Sequence, residues 1–170
     1  MDAMQANVIF HERFKPLAHA YSENAFEALD TSYSEAHRFY HNKKHIAEML
    51  ECLDVYKAWA IRPDIIAHAI YGHDWIYETQ NQDGTYRPDK CNVADSAARF
   101  DAYAIHMNAD DKSAGMDMIM ATQGHVAPDD DKGHYAGFSN DTKLFLDFDL
   151  ASMAKPWDEF WTNTQHIRKE

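Results

Sequence analysis

The sequence predicts an all-α protein, a single-domain helical bundle of about six to eight helices. Three observations carry that prediction. Apolar residues recur at helical spacing in most segments, as in Ile46, Met49, Leu50, Leu53 and Tyr56. No stretch has the alternating pattern or the Val/Ile/Thr enrichment of a strand. The 170 residues contain no repeat, no low-complexity tract and no clear linker, so one core is expected.

Taken in order, Gln5 to Leu29 reads as an N-terminal helix with a break or kink near Pro16, within a unit of residues 1–30. Asp30-Thr31-Ser32 is a turn or cap signal. Tyr33 to Tyr40 is a polar-aromatic segment, a short helix or loop. Asn42 to Ala60 is a strong helix. Pro63 opens the next helix, at a position where its missing N–H costs little. Glu78 to Lys90, with Gly84 and Pro88, reads as a loop. Val93 to Met107 is helix, broken by Asn108-Ala109-Asp110-Asp111. Ser113 to Thr122 is a short helix, Val126 to Gly137 a solvated loop, and Thr142 to Ala154 a helix. Residues 33–154 would form the core unit. A last helix over residues 156–170 sets Phe160, Trp161 and Thr164 on one side.

Charge limits the partners. The formal net charge is -12, from 16 Lys+Arg and 28 Asp+Glu. That excludes a nonspecific binder of duplex DNA or of an anionic membrane, whose footprint would be basic. No apolar run approaches the ~20 residues of a membrane span. The two cysteines, Cys52 and Cys91, form no CxxC and no disulfide framework. With no basic-then-apolar N-terminal pattern, a cytoplasmic location is expected.

The 11 histidines carry the chemistry. His73-Asp74 closes the apolar run Ile65-Ile66-Ala67-His68-Ala69-Ile70, which places His73 on a buried helix face beside a carboxylate. A divalent metal ion would satisfy both, since neutral imidazole and ionised carboxylate are good ligands. His41 and His45, four apart at a helix start, share one face. Asp149 shares its face with Phe145, Leu146 and Met153, and Asp147 lies beside Leu144, Leu150 and Ala151, so periodicity does not choose between them. His125 follows Ala121-Thr122-Gln123-Gly124. Arg38, Lys43 and Lys44, with His37, form a small basic knot suited to a phosphate.

In this order the residues resemble the HD superfamily of metal-dependent phosphohydrolases, whose signature is His…His-Asp…Asp on an all-α core. The likeness is to the branch with four blocks. These are Arg38-Phe39-Tyr40-His41-Asn42-Lys43-Lys44-His45-Ile46, His73-Asp74-Trp75-Ile76-Tyr77, Thr122-Gln123-Gly124-His125 and Asp147-Phe148-Asp149-Leu150. It covers Tyr33 to the end of the chain.

The resemblance implies His45, His73, Asp74 and Asp149 as primary ligands of a divalent metal (Mn, Fe, Co, Ni, Zn or Mg). His41 and His125 would be further ligands or substrate contacts. Asp74 would orient the attacking water. Arg38, with Lys43 or Lys44, would neutralise charge on the phosphate of a small substrate, a nucleotide by preference. A diiron oxygenase and a non-catalytic nucleotide-binding or regulatory protein are the alternatives on the same scaffold. Two departures stand out. Val93 occupies the position of the branch's Glu, with Asp95 a substitute for it. The chain closes on Ile167-Arg168-Lys169-Glu170 where relatives continue, which would leave apolar surface for a partner subunit, as in a homo-oligomer.

Overall fold

The computed structural model describes residues 1–126 and 139–170. Among the described residues there are eight α-helices and no strand, only an isolated bridge between Gln80 and Tyr86. The helices are α1 (Ala3–Phe14), α2 (Ala25–Ser32), α3 (Lys43–Tyr56), α4 (Pro63–Gly72), α5 (Asp89–Tyr103), α6 (Ala109–Ala121), α7 (Ser139–Asp149) and α8 (Trp157–Lys169). They make a single-domain bundle. Short 3-10 segments at Lys15–Ala20, Lys57–Trp59 and Leu150–Ala154 extend α1, α3 and α7.

The core is a chain of helix contacts: α1 on α3, α3 on α4, α4 on α6, and α6 on α5, with α7 against α3, α4 and α6. α4 sits at its centre and is buried from Ile65 to Gly72. Phe10 and Phe14 of α1 meet Tyr71 edge-on, with ring centroids 5.2 Å apart in both pairs. The hydroxyl of Tyr71 donates to the Phe10 carbonyl at 2.6 Å, so the polar tip is satisfied in the core. Gly72 allows the close approach of α4 to α6, because a Cβ there would lie 2.7 Å from Ile119 Cδ1 and 3.0 Å from Phe100 Cδ2. Asp141 of α7 is buried and accepts from the backbone N–H of Ile61 (2.8 Å) and Arg62 (2.7 Å). It thereby caps the start of α4 from another helix, where no local side chain does so.

Several boundaries differ from the sequence reading. The first helix is not one element from Gln5 to Leu29: Pro16 removes an N–H and tightens the chain into a 3-10 segment, and α2 restarts at Ala25. Asn108 does not simply break a helix; its side chain accepts from Asp111 N and caps α6. α5 begins at Asp89, four residues before Val93. The Val126 to Gly137 loop lies largely outside the described residues. α8 keeps its expected span, yet buries none of its residues, and Trp157 is 67% exposed. Both cysteines are free thiols. No helix of the described residues is long and apolar enough to cross a membrane.

Candidate metal centre

Three helix ends bring the predicted His and Asp residues together. His45 stands in the first turn of α3, which Asn42 caps by accepting from Lys44 N at 2.9 Å. The amide of Asn42 also donates to the carbonyls of Arg38 (3.1 Å) and Phe39 (3.0 Å), so the loop before α3 is tied to its first turn. His73 is the residue after α4 and keeps the helical path, its N–H donating to Ala69 O. Asp149 is the last residue of α7.

The distances are short. His45 Nε2 lies 3.2 Å from His73 Nε2 and 3.1 Å from Asp149 Oδ1. His73 Nε2 lies 3.0 Å from Asp74 Oδ2 and 3.6 Å from Asp149 Oδ1. One donor atom each from His45, His73 and Asp74 falls within 4.8 Å of the others. The Nδ1 of His73 meets the Ile70 carbonyl at 2.9 Å, which places the ring proton there and frees Nε2 as a ligand. The chain thus holds a buried His/Asp cluster able to bind a divalent metal ion.

The electrostatics agree with that geometry. Burial by itself lowers the His73 imidazole, but Asp74 and Asp149 overcome it and raise the group well above its ordinary value. Burial raises Asp74 and Asp149, and the facing histidines, His73 foremost, pull both carboxyls below the usual range. Without a metal, the raised His73 favours a proton between its ring and the two carboxylates, which a bound metal would replace.

His125 joins through Asp149, its Nε2 3.0 Å from Oδ2. It does so from the left-handed region, at φ 50°, a conformation that costs about 1 kcal/mol or more for a non-glycine residue. His41 stands apart from the tight cluster. Its Nδ1 is bound by Glu170 Oε2 at 2.6 Å, and its ring stacks on Tyr77 with centroids 3.9 Å apart. His41, Asp74, His125 and Asp149 nevertheless line one cavity of about 220 Å3, together with Tyr40 and Tyr77. Asp147 is exposed, so the fold separates it from Asp149, as periodicity did not.

The basic knot is placed differently from the sequence expectation. The Arg38 side chain is only 1% exposed. Its guanidinium donates to the Asp74 carbonyl (2.6 Å), the Trp75 carbonyl (3.0 Å) and Glu35 Oε2 (2.8 Å). Arg38 therefore braces the backbone of the His-Asp segment and does not present a free fork to a phosphate. Lys43 turns to Asp30 and Asn7 over the Phe10 ring, and Lys44 faces Glu48. Neither lysine lines the cavity.

Val93 sits buried on the cavity wall. Asp95 is not its substitute: it is exposed and paired with Arg87. The carboxylate on that wall is Asp89, one helical turn earlier, raised above its usual range by burial and then by Asp74. Sequence reading missed Asp89 because it treated the residue as loop. The neighbours Asn92 and Ser96 hold the chain after His73-Asp74. Asn92 binds the N–H and carbonyl of Glu78, and Ser96 those of Ile76.

A second group with metal-ligand atoms within 4.8 Å, Glu35, His37 and Glu78, lies nearer the surface. There His37 Nε2 meets the Tyr77 carbonyl at 2.9 Å and Glu35 is held by Arg38. No protein-family model, curated protein or solved structure matches the chain.

Proposed function

We propose that the protein is a metal-dependent phosphohydrolase of the HD type, acting on a small phosphomonoester or phosphoanhydride, a nucleotide by preference. The observation that carries this reading is the convergence of His45, His73, Asp74 and Asp149 within 3.0–3.7 Å contacts at three helix ends. The donor set of imidazole nitrogens and carboxylate oxygens, with His73 already held through Nδ1, fits a divalent transition metal. Such an ion supplies Lewis acidity toward a phosphoryl oxygen and lowers the pKa of water.

Around it, this chain's own residues set the chemistry. Asp74 and Asp149 bring negative charge that favours binding a cation. Asp74 also faces the cavity, where it orients a water for attack. Tyr40 and Tyr77 on the cavity wall offer aromatic faces to a base. Arg38 keeps Asp74 in place through the backbone. His125 reaches the other carboxylate, Asp149, through Nε2.

The test is elemental analysis of the purified protein, followed by assay with Mn, Mg, Co, Fe, Ni or Zn over nucleotides and generic phosphomonoesters. Metal-dependent release of phosphate, abolished in His73→Ala, is expected. Absence of turnover with every metal, or the same turnover in His73→Ala, overturns the reading.

A further inference from the structure

Glu170 joins α8 to the cavity in a way its position in the chain does not predict. α8 buries none of its residues, yet the side chain of Glu170, its C-terminal cap, has 0% exposure. A carboxylate withdrawn from water is costly unless its lone pairs are used. At a helix C-terminus it also faces the negative end of the dipole. Neither is expected of a residue that merely closes a surface helix. What it touches accounts for its place. Oε1 accepts the backbone N–H of Tyr40 (2.6 Å) and of His41 (2.9 Å), and Oε2 meets His41 Nδ1 at 2.6 Å. Thr79 Oγ1 donates to the Glu170 carbonyl at 3.1 Å, and Lys169 rests 3.9 Å from the centroid of the Phe39 ring.

His41 is thereby fixed in three ways. Its backbone and Nδ1 are held by one carboxylate, and its ring face lies on Tyr77 with planes 24° apart. The only nitrogen left for a ligand is Nε2, and His41 lines the cavity with Asp74, His125 and Asp149. We propose that Glu170 is a positioning residue: it holds His41 with Nδ1 protonated, so that Nε2 meets a phosphoryl oxygen of the substrate. This rests on the phosphohydrolase reading. It assigns His41 to the substrate and leaves the metal to His45, His73, Asp74 and Asp149. Both ring nitrogens donate only in the imidazolium form, which a carboxylate at Nδ1 favours.

Glu170→Gln tests it. The two backbone N–H groups require an oxygen at the Oε1 position, so the amide nitrogen falls opposite His41 Nδ1 and donates where the carboxylate accepted. The shape is kept and the ring gives up its Nδ1 proton. The first readout is histidine 15N NMR of the full chain, without metal. His41 is expected to carry protons on both ring nitrogens in the wild type and on Nε2 alone in Glu170→Gln; the same state in both overturns the clamp.

The second readout is kinetic, with manganese and p-nitrophenyl phosphate. The expected loss in kcat is on the order of 10- to 100-fold, the range for a group that orients another, while manganese affinity changes by less than about twofold. In a His41→Ala background, Glu170→Gln is expected to have no further effect on kcat. An equal effect in both backgrounds makes Glu170 only an anchor for α8 and overturns the proposal. If the wild type shows no metal-dependent turnover, the phosphohydrolase reading fails alone, and the NMR result still decides whether Glu170 sets the protonation of His41.

Discussion

His68 and His73 stand five residues apart along one helical path, and both are buried. Their surroundings push them in opposite directions. His68 Nδ1 faces the hydroxyl of Tyr21 at 2.9 Å, and burial drives its pKa down to about 4. It is neutral and satisfied by one hydroxyl. His73 meets two carboxylates and a second imidazole, and rises well above its ordinary value in spite of the same burial. Burial of a histidine therefore says little about function. The partners that arrive from other helices decide it, and of the two histidines His73 has the start of α3 and the end of α7 against it.

The largest expected effect breaks this contrast at the metal. His73→Ala should lower manganese affinity on the order of 100-fold or more, since removing even a group that supports a ligand costs 10- to 100-fold. His68→Ala should leave the affinity within about twofold. It should cost stability instead, about 2–4 kcal/mol, because it opens a core cavity and strands the Tyr21 hydroxyl. Calorimetric titration and denaturant unfolding of both variants check the pair. Equal loss of metal binding would show that both histidines act through packing alone.

Next in size is the response to pH. An unfolded His68 has the ordinary value of 6.5, and the folded one about 4. Between these values the unfolded chain takes up a proton that the folded chain refuses, so stability is present above 6.5 and is lost as pH falls. The loss approaches about 3 kcal/mol at the lower end, at up to 1.4 kcal/mol per unit. His68→Gln keeps an acceptor for Tyr21 and should flatten the slope. At His73 the sign reverses. Its raised folded value stabilises the metal-free protein below 6.5, and that contribution is lost as pH rises through the raised value. Metal must expel this proton, so manganese affinity should climb with pH until the raised folded value is passed. Titration in two buffers of different ionisation heat should show proton release at pH 7; no release would remove the charged His73 from the metal-free state.

This contrast also marks what was legible in the sequence. The helical stripes, the Pro63 start and the order of His and Asp blocks gave the bundle and four residues that converge. Asn42 and Asn108 each act within one helix, as caps, yet in the sequence Asn42 reads only as a helix start and Asn108 only as a break. Local pattern does not reach contacts made across the chain. Asp141 capping α4 spans 79–80 residues, and Glu170 reaches His41 over 129. Arg38 reads as a free cation because residue type alone says charge, whereas the carbonyls that occupy it lie 36 and 37 residues away. Periodicity does not tell Asp147 from Asp149; the fold does, by ending α7 beside His45.

The smallest effects concern the basic knot and sharpen the same distinction between a charge and its partners. Arg38→Lys keeps the charge but loses the planar fork that reaches two carbonyls and Glu35 at once. It should weaken manganese binding about tenfold, as loss of a supporting hydrogen-bond set does. Lys43→Ala and Lys44→Ala should change kcat/KM by less than about twofold. Lys43 is directed to Asp30 and Asn7 and Lys44 to Glu48, and partly exposed pairs of this kind are worth about 0–1 kcal/mol. A tenfold rise in KM for either lysine variant would instead return it to the substrate. Arg38→Lys keeps its charge and each lysine variant loses one, yet the larger response is expected at Arg38, because it follows what each side chain touches and not the charge count.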